Sequence, residues 1–404
     1  MLETFQLFAT TAKGMEDLLA QELQAMGARE VKKVRAGVQF TGSLETAYRA
    51  CLWSRIANRI LLPLKTFPAP NPEKLYGHVK NINWSDHMDP NQTLAVDFAS
   101  SQSQITHTHF GALKVKDAIV DQFRSVHGER PSVDVSRPDI RVNVYLHQDE
   151  ATVSLDLSGD SLHLRGYREE GTEAPLKENL AAAILMTANW PEVAKNGGSF
   201  VDLMCGSGTL PIEAALIASN TAPGIQREYF GFLKWRKHDS ALWEKLLNEA
   251  RAKIITDRRL LPRIYGFDID FRAVRVANSN AAKAGVSTLA HIEKRALAQY
   301  ETLPIRPGIV MVNPPYGERL GDVEELRDDY ALLGDTFKKK FQGWTGYIFT
   351  GSPELAKEIG LKASRRHVLF NGAMECRLFE YSLYSGTQAP EGTRRKLIVP
   401  GSQT

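Results

Sequence analysis

A chain of 404 residues, 43% hydrophobic and 24% charged, has room for about two to three domains and an ordinary globular composition. Disorder, collagen and low complexity are excluded for most of its length. Fifty basic against 47 acidic residues leave a net charge of +3, so nucleic-acid binding, if any, must come from local patches rather than a histone-like polycation. Residues 1–170 carry 19 basic and 21 acidic side chains, net −2, which leaves +5 for residues 171–404. Cys51, Cys205 and Cys376 stand alone without CxxC or Cys/His spacing, so no zinc site is implied and a reducing cytoplasmic location is expected. The N-terminus lacks the basic and apolar regions of a signal peptide, and no stretch of ~20 apolar residues is present to span a membrane.

Strand and helix signals alternate from the start. Thr4–Thr10 reads as a strand, and Gly14–Met26 as a helix with Met15, Leu18, Leu19 and Leu23 on one face. Val31–Phe40 reads as one strand, Ser43–Trp53 as a helix capped by Ser43, and Arg59–Leu64 as a strand. This β-α-β-α-β order matches half a ferredoxin-like unit. The run FPAPNPE at 67–73 then predicts a boundary, giving a first subdomain over 1–66. A second α+β unit over 67–168 holds strand Thr93–Ala99, helix Phe110–Val126, and strands Arg141–His147 and Thr152–Leu157. The main boundary is expected near 168–174, with a helix opening near Pro175.

From 199 onward the order is strand, helix, strand, helix, which predicts a doubly wound α/β sheet over 169–385. Its strands are Phe200–Met204, Arg263–Asp268, Ala290–Lys294, Gly308–Val312 and Thr345–Phe349, closed by an antiparallel pair at 365–370 and 375–384. The long connection 220–262 is rich in Trp, Phe, Arg and Lys and is expected to hold an extra helix. The tail 386–404 reads as disordered.

Three loops follow strand ends and carry chemistry. The first, from Asp202 to Leu210, contains Gly206, Ser207, Gly208 and Thr209. Its glycines permit a tight turn and close approach to a ligand. A dinucleotide loop would want a third glycine where Pro211 stands, and no Lys or Arg lies in the loop to meet a pyrophosphate. Asp202 instead suits a cation, such as the ammonium and sulfonium of S-adenosylmethionine; a bare structural turn is the alternative. The second loop follows Tyr265-Gly-Phe-Asp268, where a carboxylate can accept both ribose hydroxyls and Ile269 can cover an adenine. Asp270 is expected to cap the next helix. The third is Asn313-Pro314-Pro315-Tyr316-Gly-Glu-Arg319. An exocyclic base amine is a poor nucleophile because its lone pair is conjugated with the ring. Carbonyls of Asn313 and Pro314 can accept its hydrogens, the prolines stiffen the loop, and Tyr316 can stack on a flipped base.

DLMCGSGTL with NPPYGERL resembles the class I methyltransferases that modify an exocyclic or amide nitrogen. The stretches at 8–28, 110–123, 156–168 and 174–185 extend the likeness to the THUMP-containing large-subunit rRNA guanine-N2 methyltransferases of the RlmL type, over about residues 5–384. The resemblance implies a ferredoxin-like plus THUMP α+β half that binds RNA, followed by a Rossmann-like seven-stranded domain for S-adenosylmethionine and the base. It implies cofactor contacts at Asp202, Gly206, Ser207, Gly208, Thr209, Asp268, Ile269 and Asn313. Catalytic positions fall at Asn313, Pro314, Pro315 and Tyr316. The substrate would be 23S rRNA or its precursor, without metal or membrane. One departure is that Arg295 or Ala296 stands where an acidic residue usually faces the cofactor adenine. Some relatives continue into a second methyltransferase domain; 404 residues lead to the expectation of a single activity.

Lys114, Lys116, Arg165 and Arg168 are candidate RNA contacts, each weighed against an ordinary solvated face. His107 and His109 suggest a metal pair only in isolation, and a polar loop is the simpler reading. The competing functions are a THUMP-type tRNA guanine-N2 enzyme, an adenine-N6 DNA enzyme, a glutamine-amide protein methyltransferase, and a non-catalytic RNA-binding factor. The α+β first half argues against the DNA and protein enzymes, and the intact 313–316 motif against the last. A fragment 170–404 is expected to fold and bind cofactor without the first half.

Overall fold

The structure, a computed structural model, describes residues 3–168, 176–317 and 322–384. The tail 386–404, the main boundary segment from 169 and Arg319 lie outside them.

The first unit comprises β1 (Phe5–Thr10), α1 (Glu16–Ala25), β2 (Arg29–Val34), β3 (Gly37–Gly42), α2 (Leu44–Trp53) and β4 (Arg59–Pro68). The single strand expected over 31–40 is a hairpin, turning at Ala36 in the left-handed region with φ 58°. The unit is therefore a complete β-α-β-β-α-β ferredoxin-like motif rather than half of one. The turn was hidden because it holds no Gly-Asn signal. β2 itself is an edge strand carrying Arg29, Lys32 and Lys33, charges that protect an open edge from further pairing. Ser43 caps α2 as expected, its hydroxyl accepting from the Thr46 amide at 3.3 Å.

β4 continues past the expected end and joins β1 on one side and, on the other, β8 (Glu150–Asp156). A register shift lies between Pro63 and Lys65, where a proline can sit without a ladder hydrogen bond. The FPAPNPE run also starts a helix that the proline content concealed. Asn71 caps α3 (Pro72–Lys80) through the Lys74 amide, and Pro72 occupies the first turn. β5 (Thr93–Ser101), α4 (Thr108–His127), β6 (Ser132–Val133), β7 (Ile140–His147) and β8 (Glu150–Asp156) complete one eight-stranded sheet of order β2-β3-β1-β4-β8-β7-β5-β6. His107 serves as the α4 cap, its Nδ1 accepting from the Phe110 amide. No cluster able to hold a metal occurs among the described residues.

The second half runs α5 (Glu178–Thr187), α6 (Trp190–Lys195), β9 (Phe200–Asp202), α7 (Thr209–Ala218), α8 (Ser240–Ala252), β10 (Ile264–Asp268), α9 (Phe271–Lys283) and β11 (Ala290–Lys294). It ends with β12 (Ile309–Val312), α10 (Asp322–Lys340), β13 (Thr345–Thr350), α11 (Leu355–Glu358), β14 (Arg365–Asn371) and β15 (Met374–Ser382). The seven-stranded sheet has the order β11-β10-β9-β12-β13-β15-β14, parallel except for β15. The chain winds outward from β9 to β11, then returns to place β12 on the other side of β9. That reversal opens a crevice at the carboxyl ends of β9 and β12, where α/β sheets bind ligands.

The halves are not separable bodies. One apolar core contains Leu19, Phe40 and Tyr48 together with Ile184, Ile212 and Trp243. The Tyr48 ring lies 4.3 Å from Phe232 between centroids, and the Tyr48 hydroxyl pairs with His238 Nδ1 at 2.6 Å. A Cβ on Gly224 would come within 3.0 Å of the Leu52 carbonyl oxygen, so glycine is needed for this close approach. The connection 220–262 holds the expected helix α8 and also packs across α2. The second core, with Phe267, Val310, Tyr330 and Phe337, belongs to the seven-stranded sheet and its helices alone.

Candidate active site

Strand register brings the three loops together. Asp202 is level with Gly266 on β10 and with Met311 on β12, so the loops after 202, 268 and 312 leave the sheet side by side. Gly206 and Gly208 both have positive φ, +52° and +84°. A Cβ on Gly206 would meet nothing within 4 Å, whereas one on Gly208 would lie 2.9 Å from the Ala277 Cβ. Gly206 thus leaves its open side to a ligand, and Gly208 allows the loop to pack on α9.

The second loop is tied to the first. Asp268 Oδ2 accepts from the Gly206 amide at 2.8 Å, and Oδ1 accepts from the Asp270 amide at 2.9 Å. Each carboxylate oxygen retains acceptor capacity for a hydroxyl. Ile269 is 68% exposed beside it, an apolar side chain held open. Asp270 caps α9 through the Arg272 amide at 2.8 Å. Asp202 is buried and accepts from the Met204 amide at 3.1 Å. Burial first, and the nearby Asp268 charge second, push its carboxyl up to about 8. Arg295 stacks on Phe267, 4.7 Å from the ring centroid, and pairs with Glu293.

In the third loop Asn313 Oδ1 is buried without a hydrogen-bond partner among the described residues. A buried carbonyl oxygen left unpaired costs about 1–3 kcal/mol unless a ligand supplies the donor. The loop around it is braced. The buried Tyr330 hydroxyl donates to the Pro315 carbonyl at 3.2 Å and pairs with Thr350 Oγ1 at 2.9 Å. Asn371 Nδ2 donates to the Tyr316 hydroxyl at 3.1 Å. A Cβ on Gly351 would lie 2.8 Å from Met374 Sδ and 3.3 Å from the Tyr316 ring edge, so glycine there gives both side chains room.

Two of the four candidate RNA contacts are overturned. Arg165 is 2% exposed; it donates to the Leu162 and Arg55 carbonyls and sits 3.5 Å from Glu213, which is itself buried. Arg168 turns inward to the glycine loop. It donates to Ser207 Oγ at 3.3 Å and Thr209 Oγ1 at 3.1 Å, to the Leu176 carbonyl at 3.0 Å, and pairs with Glu178 at 3.0 Å. No sequence signal distinguished these guanidinium groups from surface ones, because their carboxylate partners lie 48 and 10 residues away along the chain. Lys114 and Lys116 are two positions apart on α4 and so point to different sides. The Lys114 ammonium lies over Phe110, and Lys116 pairs with Asp117.

Comparison with known proteins places this geometry. The description "RMKL-like, methyltransferase domain" matches residues 165–380, the RlmL ferredoxin-like domain residues 6–61, and the THUMP domain residues 69–156. The chain is 55% identical over 380 residues to the ribosomal RNA large subunit methyltransferase K/L of Methylococcus capsulatus, covering 94% of this chain and 51% of that protein. It is 51% identical over 393 residues to the enzyme of that name from Syntrophotalea carbinolica, covering 96% and 55%. The chain thus spans about half the length of the curated relatives it matches. A methyltransferase solved in complex with SAH superposes with a TM-score of 0.84 at 34% identity, over 96% of this chain and 100% of that one. Matched over more than half its length by the methyltransferase domain, the chain belongs to the RMKL-like methyltransferase family, with RlmL-type ferredoxin-like and THUMP domains preceding the catalytic sheet.

Proposed function

We propose that the chain transfers a methyl group from S-adenosylmethionine to the exocyclic N2 of a guanine in large-subunit rRNA, in the cytoplasm. The observation that carries this reading is the buried Asn313 Oδ1, without a hydrogen-bond partner among the described residues, at the crevice beside the glycine loop. It is an acceptor waiting for an N–H, in the place where a base amine must meet the cofactor. The residues present fit that cofactor: Gly206 leaves space, the buried Asp202 carboxyl can meet a cationic group, and Asp268 has acceptor capacity for ribose hydroxyls. S-adenosylmethionine, when bound, supplies an electrophilic methyl. Asn313 Oδ1 and the Pro314 carbonyl accept the two amine hydrogens and direct the nitrogen lone pair. Tyr316, braced by Asn371, stacks on the flipped base. The proton that the amine loses passes to water, because the neutral carbonyls that orient the amine are too weakly basic to take it. Positioning and electrostatics therefore carry the rate.

The large-subunit rRNA substrate is supported by the names of relatives at 55% and 51% identity. The test is transfer from labelled cofactor to protein-free 23S rRNA and to tRNA, followed by nucleoside analysis. N2-methylguanosine in 23S rRNA is expected. Label on tRNA alone, or on adenine, overturns the substrate assignment. Asn313→Ala should keep cofactor binding while losing ~10²–10³ in single-turnover rate; a wild-type rate would remove Asn313 from the mechanism.

A further inference from the structure

With Arg165 and Arg168 turned inward, neither of these two arginines carries the first half's grip on substrate towards the catalytic loop. The turn between β1 and α1 meets the β14–β15 hairpin of the catalytic sheet. Lys13 is exposed, and its ammonium lies 4.6 Å from the centroid of the Phe370 ring. Gly14, at φ +87°, lies so close to β14 that a Cβ would fall 3.1 Å from the Val368 carbonyl oxygen. Phe370 immediately precedes Asn371, the residue that holds the Tyr316 hydroxyl. Lys13 is therefore a group of the N-terminal half carried to the edge of the catalytic loop.

β14 is the last strand of its sheet, and its outer edge pairs with no strand among the described residues. Alternation puts Arg366, Val368 and Phe370 on one face, spanning ~13 Å at ~3.3 Å per residue. Arg366 is exposed and lies over Phe379, and Val368 is 48% exposed. The result is cation, aromatic ring, apolar side chain and cation in a row. Of the carboxylates beside this row, Glu16 on the turn accepts from the Gly14 amide at 2.8 Å, and Glu375, across the ladder from Phe370, is paired with Arg377. Positive groups flanking flat or apolar surface suit a single strand, with phosphates on the cations and bases or riboses between.

We propose that Lys13 and Arg366 hold the backbone phosphates of the single-stranded RNA leading to the target base, making this strip the link between the N-terminal half and Tyr316. The proposal rests on the RNA reading above. Lys13→Ala, Arg366→Ala and the double variant are compared with the full-length wild type on protein-free 23S rRNA by filter binding across a salt series. Each lost contact should flatten the slope of log affinity against log salt by ~0.7. The double variant should bind about tenfold more weakly at moderate salt. The RNA KM should rise, cofactor affinity should stay at the wild-type value, and Lys13→Arg should restore the slope. Wild-type slope and RNA KM in the double variant overturn the strip alone. Absence of salt-dependent RNA binding by the wild type overturns both the strip and the RNA reading. Loss of cofactor affinity in the variants shows a structural role and also overturns the proposal.

Discussion

The Arg55 guanidinium donates to the Thr221 carbonyl at 2.8 Å, joining the end of α2 to the segment just beyond the C-terminus of α7. Arg55 is buried, and it also reaches the Leu216 carbonyl at 3.4 Å within α7. Because α7 begins at the glycine loop, the helix that follows this loop is anchored by the N-terminal half. Asn179 adds a second tie, donating to Asn58 Oδ1 at 2.8 Å.

This relationship reverses the expectation for the 170–404 fragment. Removing the first half would uncover Ile184, Ile212 and Trp243, which share its core, and would strip Glu213 of Arg165, Arg55 and Tyr167. The fragment should be insoluble or lack near-ultraviolet circular dichroism, and the full chain should unfold in urea with both halves in one transition. A fragment that binds cofactor with native affinity would refute this.

Glu213→Ala should destabilise the full chain by about 3–5 kcal/mol, because it leaves buried guanidinium charge uncompensated. Arg165 and Tyr167 both point to this carboxylate. Equilibrium urea unfolding of the variant measures the loss; a change below about 1 kcal/mol would mean that water or a rearranged partner replaces the carboxylate.

Arg168→Ala should raise the cofactor dissociation constant about tenfold or more while leaving the salt slope of RNA binding unchanged. It removes hydrogen bonds to Ser207 and Thr209, and bonds from a charged donor are worth about 1.5–3 kcal/mol each. Calorimetry with S-adenosylmethionine and filter binding with RNA separate the two roles. A flattened RNA slope with intact cofactor affinity would return Arg168 to the RNA interface.

Asp268→Ala should weaken cofactor binding more than loss of ribose contacts alone, since the same carboxylate fixes the Gly206 amide at 2.8 Å. Asp268→Asn keeps an acceptor for that amide and should retain part of the affinity. Equal titration curves for wild type and both variants would make this loop purely structural.

Asp202 gives the site a pH dependence of known sign. Its carboxyl, raised from 3.8 to about 8, keeps its proton in the folded protein where the unfolded chain has lost it. The native state thus binds more protons across that window, and the Asp202 contribution to stability declines as pH rises through it. A cationic cofactor favours the ionised form, so binding near pH 7 should release a proton and strengthen as pH rises from about 6 to 8. Calorimetry in buffers of different ionisation enthalpy reads the proton release, and Asp202→Asn should abolish that part of it. A buffer-independent enthalpy in the wild type would show that Asp202 does not meet the cation.

The order of strands and helices from 199 onward, the three loops and the Asp270 cap were legible in the sequence because each is written locally. Buried parallel strands are short apolar runs, tight loops need Gly, and helix starts need a capping oxygen. The β2–β3 hairpin was not legible, since Ala36 adopts a positive φ with no local signature. Nor were the roles of Arg165 and Arg168, because an arginine in a polar sequence looks the same whether it faces water or a carboxylate contributed by another helix. Only the tertiary structure pairs Arg165 with Glu213, joins β4 to β8 in one sheet, and sets Lys13 over Phe370. Charge placement between distant segments depends on packing of the apolar core, and that packing is a property of the whole chain rather than of any window within it.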